Sequence, residues 1–179
     1  MKMSRFVQWV LIPLLVGCSV NQKSKVSSTH QKPLKVFLVR HAEKVDNSEN
    51  PDLSEAGYQR ASTLAEVLRS AKIEHVHSSD FLRTKKTALP TAEKFDLKIE
   101  LYDQNNLMVL SERLKEMGGV HLVVGHSNTT PVLAELLGGD PGEPINEAGE
   151  YDRLYLISIT KAGNSSSTIL RFGNKYDGN

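Results

Sequence analysis

One cysteine in 179 residues, Cys18, cannot form a disulfide within the chain, so the fold must be held by its core. Charge of one sign is lacking as well: 22 Lys and Arg stand against 21 Asp and Glu. A near-neutral chain offers no electrostatic footprint for nucleic acid. There is no glycine-rich Walker loop and no dense carboxylate cluster to hold magnesium, so metal-assisted chemistry at phosphate finds no support here. No internal repeat is visible. Apolar runs are short, and the one from Phe6 to Gly17 is too short to cross a bilayer as a stable anchor.

That run follows Lys2 and Arg5, the build of a secretory signal. It ends in Leu15, Val16, Gly17 and Cys18, which resemble the lipobox of a bacterial lipoprotein precursor, where cleavage before the cysteine frees it for lipid attachment. The expectation is a signal peptide over 1–17, a lipidated Cys18 with a tether up to 33, and one domain over 34–179. Such a protein is anchored to the outer membrane on the periplasmic side of a bacterial envelope. Removing 1–17 deletes Lys2 and Arg5 and takes the formal charge from +1 to −1. Ser19 to Pro33 is polar and aperiodic, and on flexible-linker scaling it reaches about 20 Å.

From Leu34 the pattern is that of alternating strands and helices. Val36 to Val39 is apolar throughout with a β-branched residue at each end, as in a strand buried on both faces. Ser54 suits an N-cap, and Ala61, Leu64, Ala65 and Leu68 follow at helical spacing. Val76 to Ser79 predicts a second strand; Ser79 or Asp80 can cap a helix to about Phe95, which Pro90 should kink or split. Lys98 to Tyr102 alternates like an edge strand, and Leu107, Leu110, Leu114 and Met117 mark a helix closed by Gly118 and Gly119. His121 to Gly125 is a further buried strand, after which Thr130 and Pro131 suit the cap and first position of a helix reaching Leu137. Gly138 to Glu150 is most simply a solvated connection. Leu154 to Ile159 and Thr168 to Phe172 predict a terminal hairpin. The order implies an α/β fold, a three-layer α/β/α sandwich.

Arg40 and His41 come directly after the first strand, and His126 directly after the strand that Gly125 closes. Open α/β sheets bind ligands at the carboxyl ends of their strands. With Arg83, four residues past Ser79, these ends carry two guanidiniums that fork onto oxygens and two imidazoles, a set suited to a phosphoryl group. Without a metal cluster a side chain must be the nucleophile, and a neutral histidine nitrogen can attack phosphorus in line. His75, His77 and His121 invite a zinc reading, but no cysteine or matching His/Glu spacing completes a site, and no metal is expected.

These residues resemble the histidine phosphatase superfamily, which includes phosphoglycerate mutases and small phosphohistidine phosphatases. Its RHG signature stands here as Arg40, His41 and Ala42, and its LTxxG as Leu53, Ser54 and Gly57. Ser79, Arg83 and Thr87 match its serine and RxxxT segment, and Gly125 and His126 its GH motif. The resemblance spans roughly Leu34 to Ile159. It implies a phosphoglycerate mutase-like fold: a mixed six-stranded sheet, the His41 strand between the His126 strand and an antiparallel penultimate strand, the Ser79 strand beyond His126. It also implies that His41 becomes the transient phosphohistidine while Arg40, Arg83 and His126 grip the phosphate. For the carboxyl group that protonates the leaving oxygen, Asp103 lies about where one is expected, with Glu43 and Asp152 as rivals. Ala42 stands where the family has glycine.

The function so implied is a metal-independent phosphatase of the histidine acid phosphatase type, acting on small phosphomonoesters without a cofactor. A phosphoglycerate mutase-type phosphotransferase and a non-catalytic phosphate-binding lipoprotein are the alternatives. Mutases usually carry longer insertions over the site, and their metabolites are cytoplasmic.

Overall fold

The computed structural model describes residues 32–175. The expected signal segment, Cys18 and the tether as far as 31 lie outside the described residues. No helix among those described is long and apolar enough to cross a membrane.

Among the described residues ten elements follow one another: β1 (Leu34–Arg40), α1 (Glu55–Val67), β2 (His75–Ser79), α2 (Leu82–Lys94), β3 (Ile99–Tyr102), α3 (Leu107–Met117), β4 (Gly119–Gly125), α4 (Thr129–Leu136), β5 (Arg153–Ile159) and β6 (Ser165–Arg171). The strands form one sheet in the order β3-β2-β4-β1-β5-β6. β1 runs parallel to β4, as β2 does to both β4 and β3, while β5 runs antiparallel to β1 and to β6. This is the phosphoglycerate mutase-like arrangement the sequence implied, penultimate strand included.

Period-two alternation in the central strands feeds two cores. Val36 and Leu38 of β1 join Val123, Leu110, Leu114 and Leu133 on the α3 and α4 side. Phe37 and Val39 join Leu122, Val124, Leu64 and Ala88 on the α1 and α2 side. β1 is therefore apolar on every residue from Val36 to Val39 because it is covered twice. Its parallel register with β4 sets Arg40 opposite Gly125, so the residues after both strands, His41 and His126, emerge together.

Local expectations give way at four places. Pro90 does not split α2, which runs unbroken from Leu82 to Lys94. Neither Ser79 nor Asp80 caps α2; Phe81 holds that position with no side-chain bond, and Asn50 from the preceding loop accepts from Leu82 N–H at 2.8 Å instead. Ser79 is already engaged by His126, and Asp80 pairs with Lys85. α4 starts at Thr129 with Asn128 at the cap position, so Pro131 is its third residue, where its missing N–H still costs no helical bond. β6 starts at Ser165 because Ser165, Ser166 and Ser167 pair with Ile159, Ser158 and Ile157, and ladder hydrogen bonds outweigh the turn preference of serine.

Candidate active site

At the carboxyl rim of β1, β2 and β4 lies a cavity of about 360 Å³ lined by His41, Arg83, His126, Glu147, Lys44 and Gln104, with Ser127 and Asn128 at its edge. A second cavity, of about 400 Å³, lies at the opposite pole against Leu34, Val120 and Ile159. Its lining, at the amino ends of β1 and β4, holds no histidine, whereas the rim at the strands' carboxyl ends, where open sheets bind ligands, holds two.

His41 is 2% exposed, and its backbone N–H extends the β1 ladder by donating to Gly125 O at 2.9 Å. Its ring Nδ1 lies 2.8 Å from Ala42 O. A carbonyl only accepts, so Nδ1 carries the proton and Nε2 holds the lone pair. Burial lowers the pKa of this ring to about 3, the Arg40, His126 and Arg83 charges adding to the effect. His41 is thus neutral at ordinary pH, with one defined tautomer.

His126 shows a matching logic. Arg83 Nη2 lies 3.5 Å from its Nδ1, and a guanidinium only donates, so Nδ1 accepts. Nε2–H then donates to Ser79 Oγ at 2.9 Å, and Ser79 donates to Thr84 Oγ1 at 3.1 Å. Burial, with Arg83 next, brings the His126 pKa down to about 4. The two rings meet edge to face, centroids 5.5 Å apart.

The guanidiniums differ in use. Arg40 is 2% exposed and donates from Nη1 to the carbonyls of Asn146 and Glu150 and from Nη2 to that of Glu147, while the Glu147 carboxylate pairs with Nη2 at 3.0 Å. The Tyr151 ring stacks on it, Cζ lying 4.1 Å from the ring centroid. Arg83 lies over Phe81 at 4.5 Å. Burial lowers both guanidinium pKa values, Tyr151 offsetting it most for Arg40 and Glu147 for Arg83. Arg40 Nε, Arg83 Nε and Arg83 Nη1 are buried with no hydrogen-bond partner among the described residues. A buried cationic donor left unpaired is costly, and an oxyanion is what would pair it.

Two glycines of the motifs have steric reasons. A Cβ at Gly57 would lie 2.3 Å from Glu43 O, and one at Gly125 would lie 2.9 Å from the Tyr102 hydroxyl and 3.0 Å from Thr129 Oγ1. Ala42 needs no such freedom, since its φ is not positive, and it packs fully buried beside Leu53 and Ala61.

The structure thus brings Arg40, His41, Arg83 and His126 to one rim, but none of the three carboxyl candidates lines the cavity. Asp103 is exposed, its Oδ1 accepting from Asn105 N–H in the turn after β3; the neighbouring Gln104 faces the cavity in its place. Glu43 is held by Arg60 through two nitrogens at 2.8 to 3.0 Å. Asp152 pairs with Arg171 at 2.7 Å. The carboxylate that does face the cavity is Glu147, which also accepts from Ser127. It sits in the loop over 138–150, which is no free connection: Arg40 grips three of its carbonyls, and buried Glu150 bonds Asn146 N–H, Arg153 and Arg171. Nothing local in a Gly, Pro and Glu stretch marks Glu147; its only signal was that the loop returns to this rim to start β5.

His75, His77 and His121 form a flat stack, with centroids 4.7 Å apart for His75 and His121. His121 Nε2 donates to Gly118 O, and its Nδ1 accepts from His77 Nε2 at 3.0 Å. His75 pairs with Glu100 at 2.9 Å. Among the described residues no group of three His, Cys, Asp or Glu is placed to hold a metal ion.

An α/β sandwich with two arginines and two histidines converging at the strand ends is chemically suited to a phosphoryl group. Residues 36–119 match the family model for the histidine phosphatase superfamily (branch 1). Curated proteins yield no match. Among solved structures, the protein histidine phosphatase SixA complexed with tungstate superposes with a TM-score of 0.61 at 21% identity, covering 77% of this chain and 97% of its own. Phosphoglycerate mutase from Bacillus anthracis str. Sterne gives 0.59 at 17% identity, with 80% and 94% covered. The mycobacterial glucosyl-3-phosphoglycerate phosphatase gives 0.58 at 14%, with 80% and 100% covered. At these identities the likeness is one of fold.

Proposed function

We propose that the protein is a metal-independent phosphomonoesterase that works through a phosphohistidine on Nε2 of His41. One observation carries the reading: a neutral histidine of fixed tautomer lines the same cavity as Arg83, two of whose guanidinium nitrogens, Nε and Nη1, are buried without a hydrogen-bond partner among the described residues. SixA, which shares the fold, binds tungstate, a tetrahedral oxyanion.

In the proposed reaction the Nε2 lone pair forms the P–N bond while the bond from phosphorus to the ester oxygen breaks. The electron pair leaves with that oxygen, which takes a proton from the Glu147 carboxyl group, in the role the sequence had offered to Asp103. The phosphoimidazole carries positive charge, and the Nδ1–H bond to Ala42 O stabilises it. Water then attacks phosphorus, gives its proton to Glu147, and the P–N electrons return to Nε2. Arg83 holds charge on the equatorial oxygens through its unpartnered Nε and Nη1, with His126 positioning it and Arg40 fixing the loop that carries Glu147.

Hydrolysis of an aryl phosphate in EDTA, with a labelled, acid-labile phosphoryl adduct that maps to His41 and is absent from H41A, is the expected result. Activity lost to EDTA, or retained in full by H41A, would end the reading. We also propose export and anchoring by lipid on Cys18, on the strength of the lipobox resemblance. Metabolic labelling with palmitate should mark the wild type and not C18S.

A further inference from the structure

The cavity over His41 is lined in part by Lys44 and Gln104, both polar, and by Ser127 and Asn128. The latter two residues are also the near wall of a separate groove of about 350 Å³. Its remaining lining is Pro131, Gly142, Pro144 and Ile145, with no ionisable side chain among them. Ile145 belongs to the buried core under α4, so this part of the loop is fixed rather than draped. Two prolines and a glycine present neither side-chain donors nor acceptors. A hydroxyl-rich body lying on the part away from Ser127 and Asn128 would lose water without gaining side-chain partners, whereas a hydrocarbon would lose only water it does not need.

The two spaces are joined where the acid sits. Glu147 bonds Ser127, one of the two residues common to both, so a leaving oxygen within reach of the Glu147 carboxyl group lies at the mouth of the groove. We infer that the groove holds the leaving group of the substrate, and that the substrates are phosphomonoesters of apolar alcohols, with an alkyl or aryl body, in preference to sugar or nucleoside phosphates. The inference rests on the phosphatase reading above and adds the substrate class to it.

Straight-chain alkyl phosphates test it, because ethyl, butyl and hexyl leaving groups differ in length and hardly in acidity, so the chemical step is constant across the series. With the purified protein, kcat/KM should rise about threefold per added methylene until the groove is filled. Pro131→Glu puts a carboxylate in the groove at a helix position where an acidic residue is favourable, so the fold is kept. This variant should flatten the length dependence, hexyl falling to within about threefold of ethyl, while Pro131→Leu preserves the slope. A flat series in the wild type, with ethyl phosphate still hydrolysed, would overturn the groove assignment and leave the phosphatase standing. An unchanged slope in Pro131→Glu would overturn it as well. No turnover of any ester, 4-nitrophenyl phosphate included, would remove the phosphatase reading on which it rests.

Discussion

The Thr87 hydroxyl joins two loops of the site: it accepts from Ala42 N–H at 2.9 Å and donates to Arg83 O at 2.7 Å. A threonine on α2 thereby locks the residue after His41 to the turn of helix that carries Arg83, which gives the RxxxT spacing a physical reason. Thr87→Val keeps the shape and removes the acceptor, leaving a buried N–H without a partner. Denaturant unfolding should show a loss of about 1–3 kcal/mol, with turnover falling too, while Thr87→Ser restores both.

Glu147 should behave as an acid toward the leaving group. Glu147→Gln is expected to lower kcat about 100-fold or more on an alkyl phosphate, whose alkoxide needs the proton. On 4-nitrophenyl phosphate, whose phenolate leaves unaided, the loss should stay below about tenfold. Equal losses on both esters would assign Glu147 to positioning Arg40 and Ser127 instead.

Acid should destabilise the fold well before carboxylates dominate. Burial holds His41 and His77 near 3 and His126 near 4, against 6.5 for an unperturbed histidine. Each folded value lies below the unfolded one, so between them the unfolded chain binds more protons and stability rises with pH. The contribution is complete above about pH 6.5 and drains as pH falls, toward about 4 for His126 and about 3 for His41 and His77. Denaturation midpoints in phosphate-free buffer should fall steadily from pH 7.5 to 5. His77 takes no part in the proposed chemistry, and His77→Leu should make that fall shallower. A midpoint that holds or rises on acidification would contradict the burial argument.

Gly57→Ala should be costly although alanine favours helices. The new Cβ would sit 2.3 Å from the backbone oxygen of Glu43, which cannot swing away as a side chain would. Overpacking of this kind costs about 1–3 kcal/mol. Because Glu43 follows the His41 loop, kcat should fall with the unfolding midpoint.

The sequence by itself determined the sheet and the two arginines and two histidines at its rim. Doubly covered strands must be apolar at every position, so Val36 to Val39 and Leu122 to Val124 could be read without coordinates, and Arg40, His41 and His126 follow them within two residues. Arg83 was legible because its spacing from Ser79 is local. The acid, the tautomers and the groove were decided by tertiary structure alone. Glu147 reaches Arg40 across 107 residues, and nothing in its own neighbourhood encodes that contact. Asp103 looked better because position after a strand is visible in sequence, whereas the direction of a turn carboxylate is set by its own backbone N–H partners. The proton positions on His41 and His126 likewise depend on which carbonyl, hydroxyl and guanidinium the fold brings against each ring.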